Sequence, residues 1–569
     1  MQPEFDIELY NKRLEELFSR FQSVQKVGFT GDAYKPGLSG MLRFSAVLGD
    51  PWKAYPCVHV AGTNGKGSVC SMMAAALAGR GVLADGHPRR AGGLLRPPQT
   101  PVGFLGAWIL AHEGPTIPAL PVRMLPDGAS RRRIGLYTSP HLLDFRERMK
   151  IVSGDGFEMI SREDVWEFLC LYEKAFDGLS FFEITTGMAF WWFARQCVDA
   201  AVIETGLGGR LDSTNIITPV LSVVTSIGLD HCALLGSTRA AIAREKAGIF
   251  KPGVPAVVGV RDSETATVFE EVAALVGAHL TFASDVPTFS FVKDPGRFSD
   301  GSGACRLITN EQDLLSRMDL TGPCQDINLH TVLVALDILC DLPQKQPESG
   351  KVIALEPAPS PITAKNGEGH SSEACTFPNN SQKRGRSQGE MIKVLIEAIA
   401  NAGKRTGLWG RWQRICEKPE VICDIGHNPP ALKENFARLE ALSGERGRTT
   451  DLGKVAEQGL ANIQPREVII IYGIMADKDL AGIAPLMPAG AKYILAAPDN
   501  QRAMPAEELA ERLKALRPDL DCICSGSVAA AVRQALDLAQ DLPNALIYIG
   551  GSTFVVAEAL PLFNETTEL

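Results

Sequence analysis

Seven consecutive residues, Gly62-Thr63-Asn64-Gly65-Lys66-Gly67-Ser68, set one full positive charge among small residues between two apolar runs. The run before them, PCVHVAG, reads as a short buried strand. The run after them, SVCSMMAAALAGRG, reads as an alanine-rich helix ended by glycines. Where a strand hands over to a helix, the first backbone N–H groups are unpaired and lie at the positive end of the helix dipole. Glycines let that backbone approach an anion closely. Lys66 adds the charge that the β- and γ-phosphates of a nucleotide need. The strict G-x-x-x-x-G-K-[ST] pattern fails, because Gly67 separates Lys66 from Ser68. The signal therefore rests on strand, loop and helix taken together.

Further candidates recur at strand ends. YTSPHLLDFRER offers the hydroxyl of Ser139, a hard oxygen that suits a magnesium ion. VIETGLGGRLDSTN sets Glu204 at the carboxyl end of an apolar strand, where ligands gather in parallel α/β sheets. It can hold a metal or pair with an arginine. One strand later His231 stands in the same position, as a ligand or a structural histidine. Lys246 is either a solvated helix residue or, if carbamylated into a carboxylate, a metal ligand. In the C-terminal third, GLWGRWQRI places Arg411 where it can neutralise phosphate. VICDIGHNPPAL places Asp424, His427 and Asn428 where a strand meets a helix; Asp424 can cap that helix or accept from a ribose hydroxyl or base. YGIMADKDL adds Asp477, Lys478 and Asp479 in another strand-end loop.

The elements that position these groups alternate strand and helix. After the first strand and helix come RIGLYTSPHL, DAAVIETGLGG, VLSVVTSIGLDH and GVPAVVGV as strands, with FFEITTGMAFWWFARQ and TRAAIAREKAGIF among the helices. VICDIGH, EVIIIYGI, KYILAAP, DCICSG and NALIYIGG form a second alternating set. The expected class is α/β: a phosphate-loop ATPase domain with a mostly parallel sheet, then a smaller Rossmann-like domain. The expected divisions are 1–340, a low-complexity linker at 341–390, and 391–569. Within the first, the proline- and arginine-rich stretch 83–133 reads as an inserted loop; a polar insertion near 443–464 interrupts the last. The nucleotide is expected in the cleft between the domains.

Bulk properties narrow the class. A net charge of −9 argues against a general nucleic-acid surface. The 13 cysteines form no zinc or disulfide framework, the N-terminus is acidic and amphipathic, and the apolar runs are too short to span a membrane. A cytoplasmic protein is expected.

In order along the chain stand GTNGKGS, LYTSPHL with FRER, FFEITT, ETGLGGRLDSTN, IGLDH with IAREKAGI, GRWQ, D-x-GHN and DKD. Together they resemble the bifunctional folylpolyglutamate synthase/dihydrofolate synthase family, relatives of the muramyl peptide ligases. The resemblance covers the chain outside 83–133, 341–390 and 443–464. It implies an ATP-dependent amide ligase that joins L-glutamate to dihydropteroate, or to the γ-carboxylate of a folate glutamate, through an acyl phosphate. By motif match, Thr63, Asn64, Gly65, Lys66, Gly67 and Ser68 would wrap the phosphates. Asn328, Arg411, Asp424 and His427 would meet ATP from the other side. Ser139, Glu204, His231 and a carbamylated Lys246 would hold two Mg²⁺ ions, with K⁺ a further candidate. Tyr34, Lys35, Pro36, Phe182, Arg210, Leu211 and Asp212 would line the pterin site. The implied partners are small molecules, with no nucleic acid or membrane, and the expected state is a monomer.

The insertion of about 50 residues ahead of Ser139 bears on its register, although loops of this kind close at little entropic cost. Two other readings are a muramyl-type UDP-sugar ligase and an ATP-binding protein disabled by its insertions. The first expects a separate N-terminal domain, for which about 55 residues before the loop are too few. Against the second stands the joint presence of Glu204, His231, Lys246 and Arg411.

Overall fold

The computed structural model describes residues 5–21, 35–79, 117–118, 132–286 except 155, 290–293, 304–308, 313–341 except 323, 344–345, 388–443 and 466–563 except 543. Tyr34, most of 83–133, most of the linker and all but the first residue of the 443–464 insertion lie outside them.

Eight strands make the first sheet: β1 (Cys57–Ala61), β2 (Ile134–Tyr137), β3 (Met149–Ser153), β4 (Gly156–Met159), β5 (Ala200–Glu204), β6 (Leu221–Val224), β7 (Pro255–Val258) and β8 (His279–Phe282). Their order is β4-β3-β2-β5-β1-β6-β7-β8. From β2 to β8 all neighbours are parallel; β2, β3 and β4 form an antiparallel meander at one edge. The central strands are apolar without alternation because both faces are covered. Along β1, Val58 and Val60 enter one core while Cys57 enters the opposite one, as a two-residue repeat requires.

Helix Lys66–Ala78 is buried along its length from Gly67 onward. Its sequence is apolar all round, which is stable only inside a core. It lies between the sheet and helices Gln325–Asp341, Gln388–Ala400 and Ala402–Thr406, whose apolar residues join the same core. On the opposite face, helix Phe181–Arg195 brings Phe190, Trp192 and Phe193 into an aromatic core. Its start is set by a reciprocal cap between Ser180 and Glu183.

Three further strands, β9 (Ser290–Lys293), β10 (Ala304–Ile308) and β11 (Asp313–Arg317), form an antiparallel sheet for which the sequence reading has no counterpart. A two-residue parallel pairing joins Ile117–Pro118, inside the expected loop, to Gln344–Lys345 in the expected linker.

The last sheet holds β12 (Gln413–Glu417), β13 (Glu420–Cys423), β14 (Val468–Tyr472), β15 (Lys492–Ala496), β16 (Asp521–Ser525) and β17 (Leu546–Gly550), ordered β12-β13-β17-β14-β15-β16. It is parallel except for the β12–β13 hairpin. Both sheets are thus the expected α/β type. Ile399, Ala400 and Ala402 belong to the first core, so the chain changes core after helix Ala402–Thr406, some way beyond residue 391. No helix among the described residues is long and apolar enough to cross a membrane.

Candidate active site

The chain leaves β1 through Gly62 (φ 152°) and turns into the helix at Gly65 (φ 83°). Neither position can carry a side chain. A Cβ at Gly62 would stand 1.9 Å from Thr225 Oγ1, and one at Gly65 2.2 Å from Asn328 Oδ1. The loop is held from β6's end: Thr63 N–H donates to Ser226 O at 2.7 Å, and Thr63 Oγ1 accepts from Gly228 N–H at 3.0 Å. Ser68 is buried and accepts from Gln325 Nε2 at 3.2 Å.

Around this loop the strand ends of the first sheet deliver charge. Glu204, last residue of β5, is 3% exposed and accepts from Ser139 N–H at 3.1 Å. Burial raises its pKa, against the pull of Lys66, the Ser139 N–H, Arg411 and Arg148. Ser139 therefore sits beside the metal candidate despite the insertion before β2, because β2 pairs in register with β5. Arg411 arrives from the other side: a Cβ at Gly67 would lie 3.2 Å from its Nη2 and 3.9 Å from Glu204 Oε2. Lys66 Nζ donates to Gly62 O at 3.1 Å and to Thr63 O at 3.4 Å. Lys246, 4% exposed, donates to the same Gly62 carbonyl at 2.8 Å. Burial, with Lys66 beside it, pulls the Lys246 pKa down to about 7.

His231 follows β6 in a left-handed conformation (φ 52°). Burial lowers its pKa to about 4, against the attraction of Asp230. Asp230 itself gathers three residues of the C-terminal domain. Lys478 Nζ donates to it at 3.0 Å, Asn428 Nδ2 donates at 3.0 Å, and His427 Nε2 stands 3.6 Å away. Burial would raise the Asp230 pKa, yet His427, His231 and Lys478 hold it well below the usual carboxylate range. Asn428 also exchanges side-chain hydrogen bonds with Asn64 of the loop, at 3.1 and 3.0 Å.

Other candidates have local work. Asp424 accepts from the N–H groups of Trp412 and Gly426, at 2.8 and 2.7 Å, and from Asn435 Nδ2 at 2.7 Å. Those bonds tie the turn bearing Arg411 to β13. Asp212 is buried and accepts from Leu207 N–H at 2.8 Å and Thr214 N–H at 3.0 Å; Arg210 pairs with Glu245 at 2.8 Å on the surface, and Leu211 is half-buried between them. Phe182 packs on Gly206, where a Cβ would come within 2.5 Å of its ring, at the mouth of the β5 loop. Lys35 donates to Gly178 O at 3.1 Å, and Pro36 beside it is exposed. Sequence reading gave Asp230 and Asn428 no role of their own, and the structure shows them joining the two domains. Their signal was only adjacency to His231 and His427.

Donors suited to a triphosphate thus meet carboxylate, hydroxyl and imidazole groups in one cleft. Among the described residues no group of three or more His, Cys, Asp and Glu side chains is placed to hold a metal ion. A Mur ligase glutamate ligase domain matches residues 410–553. A folylpolyglutamate synthase of Lacticaseibacillus casei is 26% identical, covering 92% of this chain and 98% of its own. A dihydrofolate synthase/folylpolyglutamate synthase of Buchnera aphidicola is 41% identical over 63% of this chain and 66% of its own. The relatives this chain resembles are folylpolyglutamate synthases and dihydrofolate synthases. Another relative, the probable bifunctional folylpolyglutamate synthase/dihydropteroate synthase of Haloferax volcanii, is 27% identical over 92% of this chain, which spans only 48% of that longer protein. In fold, the chain matches E. coli FolC in complex with DHPP and ADP at a TM-score of 0.61, with 24% identity, over 98% of this chain and 97% of that one.

Proposed function

We propose that the protein is an ATP-dependent ligase that adds L-glutamate to dihydropteroate or to the γ-carboxylate of a folate glutamate. One observation carries the reading: Gly67, at the start of the buried helix, lies between Glu204 of one domain and Arg411 of the other. A triphosphate at the loop would meet helix N–H groups, Lys66 and Arg411 together, a donor set matched to its charge. The glycines at 62 and 65 let the loop pack directly against Thr225 and Asn328 and hold its backbone N–H groups at the helix start.

In the reaction a carboxylate oxygen of the acceptor attacks the γ-phosphorus of ATP, and ADP leaves. The resulting acyl phosphate is an electrophile. The α-amine of glutamate attacks its acyl carbon, loses a proton, and phosphate departs with the original carboxylate oxygen. No side-chain nucleophile is needed. Lys66 and Arg411 offset the charge that develops on the phosphoryl oxygens. The interdomain contacts at Asp230 and Asn64 shield the cleft from water, which would otherwise hydrolyse the acyl phosphate. A divalent ion, when bound, supplies further charge neutralisation, and two Mg²⁺ with K⁺ as an accessory is the full expected set. Ser139, Glu204, His231 and carbamylated Lys246 are the residues that would hold it. The buried, partly neutral Lys246 amine is suited to capture carbon dioxide. One chain supplies both sides of the cleft, which supports a monomer as the working unit.

The test supplies ATP, Mg²⁺ and radiolabelled glutamate with dihydropteroate or a reduced folate. Phosphate release with label in a pterin product is expected. Label in neither product overturns the proposal.

A further inference from the structure

The chain passes from the first core to the C-terminal domain through residues 407–410, and the β3–β4 hairpin grips that crossing. Lys150 of β3, buried at 4% exposure, donates from Nζ to the carbonyl oxygens of Thr406 at 2.8 Å and Gly407 at 2.9 Å. Those groups end helix Ala402–Thr406, so the ammonium satisfies carbonyls that the helix leaves unpaired. Phe157 of β4 closes the other side. Gly407 is left-handed (φ 58°), a Cβ there would come within 2.4 Å of the Phe157 ring, and Lys150 Nζ stands 5.2 Å from the same ring's centroid. Leu408 N–H completes the turn by donating to Gly403 O at 3.0 Å.

What this grip controls lies just beyond it. From the position of a Cβ on Gly67, Leu408 Cδ1 is 3.7 Å and Arg411 Nη2 is 3.2 Å away. The crossing therefore delivers its arginine to the start of the phosphate-binding helix within four residues of Gly407. At Gly410 (φ 68°) and Trp412 (φ 47°) the backbone again takes left-handed conformations, and the turn between them is braced from the far side by Trp412 N–H donating to Asp424 at 2.8 Å, so the grip at 407 sets its near end. Lys150 also pairs in register with Leu136 of β2, the strand that leads to Ser139. One hairpin thus ties a metal candidate to the crossing that carries Arg411.

We infer that Lys150 is a positioning residue for the nucleotide: it acts through the 407–410 crossing to hold Arg411 against the phosphate loop. This rests on the proposed ATP site. An unbonded ammonium at this depth would be costly, so the two carbonyls and the crossing hold each other in place. Burial lowers the Lys150 pKa to about 8, consistent with an ammonium that depends on these partners.

The test compares wild type, Lys150→Met, Lys150→Arg, Phe157→Ala, Arg411→Ala and the Lys150→Met/Arg411→Ala double variant in the full chain. ATP affinity is read by displacement of a fluorescent ATP analogue, and KM and kcat by steady-state kinetics. Lys150→Met should weaken ATP binding and raise the ATP KM by about tenfold, with the glutamate KM changed by less than about twofold. Lys150→Arg should recover most of the loss. The double variant should bind ATP no more weakly than Arg411→Ala, because the lysine acts through the arginine. Wild-type ATP affinity in folded Lys150→Met, or losses that add in the double variant, would overturn the inference. If Lys150→Met does not fold, Phe157→Ala decides; that ring is 38% exposed, and unchanged ATP binding on its removal also overturns the inference. A wild-type protein that binds ATP but forms no pterin product would defeat the proposed reaction, while the binding comparison would still judge Lys150.

Discussion

Lys66 and Lys246 donate to one acceptor, the carbonyl oxygen of Gly62, at 3.1 and 2.8 Å. Burial, and then the charge of Lys66 beside it, make the Lys246 ammonium costly, so its pKa falls. With a pKa near 7, about half of the Lys246 amine is neutral at neutral pH, against well under about 0.1% for an ordinary lysine. Only the neutral amine adds carbon dioxide. Wild-type protein in ¹³C-bicarbonate should give a carbamate carbonyl signal that Lys246→Arg lacks, and removing bicarbonate should lower turnover. No signal in the wild type would leave Lys246 an unmodified lysine.

The charges at the helix start are expected to be indispensable to turnover. Lys66→Met and Glu204→Gln should each lower kcat by about 10²–10³-fold, the scale for losing one preorganised group in a water-excluded site. Circular dichroism and thermal midpoints should stay near wild type for Lys66→Met. Near-normal rates in both variants would remove the site assignment.

Gly65→Ala places a methyl 2.2 Å from Asn328 Oδ1 and forces a non-glycine residue to φ 83°. The backbone strain alone costs about 1–3 kcal/mol. Nucleotide affinity should fall with stability, and Gly65→Ala/Asn328→Ala should recover part of both. Equal ATP binding in wild type and Gly65→Ala, by calorimetry, would show that the loop does not approach the phosphates.

His59 makes the fold acid-sensitive. It is fully buried on β1, hydrogen-bonded through Nε2 to Thr214 Oγ1 at 2.8 Å, with no partner at Nδ1 among the described residues. Burial, with Lys251 nearby, lowers its pKa to about 3 from an ordinary 6.5. Between those values the unfolded chain binds a proton that the folded chain refuses, so stability rises with pH across the window and falls on acidification. Above 6.5 the group has no such effect. His59→Gln should lose less stability than wild type between pH 7 and 4.5, by about 1–3 kcal/mol in urea midpoints. Parallel pH profiles would contradict this.

The Asn64–Asn428 amide pair should couple the two domains. Each single alanine variant should cost about 1 kcal/mol, and the double variant should show a coupling energy of about 0.5–1 kcal/mol. The reading is denaturant unfolding followed by probes in both domains. Strict additivity would mean that the pair does not join them.

Most of the parallel strands are legible because each is a short, unbroken apolar run, and burial on both faces leaves no other reading. Strands β3 and β4, the β9–β11 sheet and β12 lie toward an edge or apart, where strands are short and polar residues are tolerated, so their pattern merges with that of loops. The phosphate loop is legible because it is local: glycines at 62 and 65 and the lysine at 66 do their work within one turn of chain. Glu204 and Ser139 are each visible as strand-end groups, and register alone makes them neighbours.

The sequence by itself determined the two α/β sheets, the loop at 62–68 and the resemblance that its motifs carry, since these depend on side-chain periodicity and short-range spacing. Only the tertiary structure decided that Asp230 collects Lys478, Asn428 and His427, that Asp424 braces the Arg411 turn, and that Lys150 holds the crossing between domains. Each of these joins residues far apart in the chain. Sequence spacing cannot show which groups two folded cores will press together, or which buried charges will have to satisfy one another there.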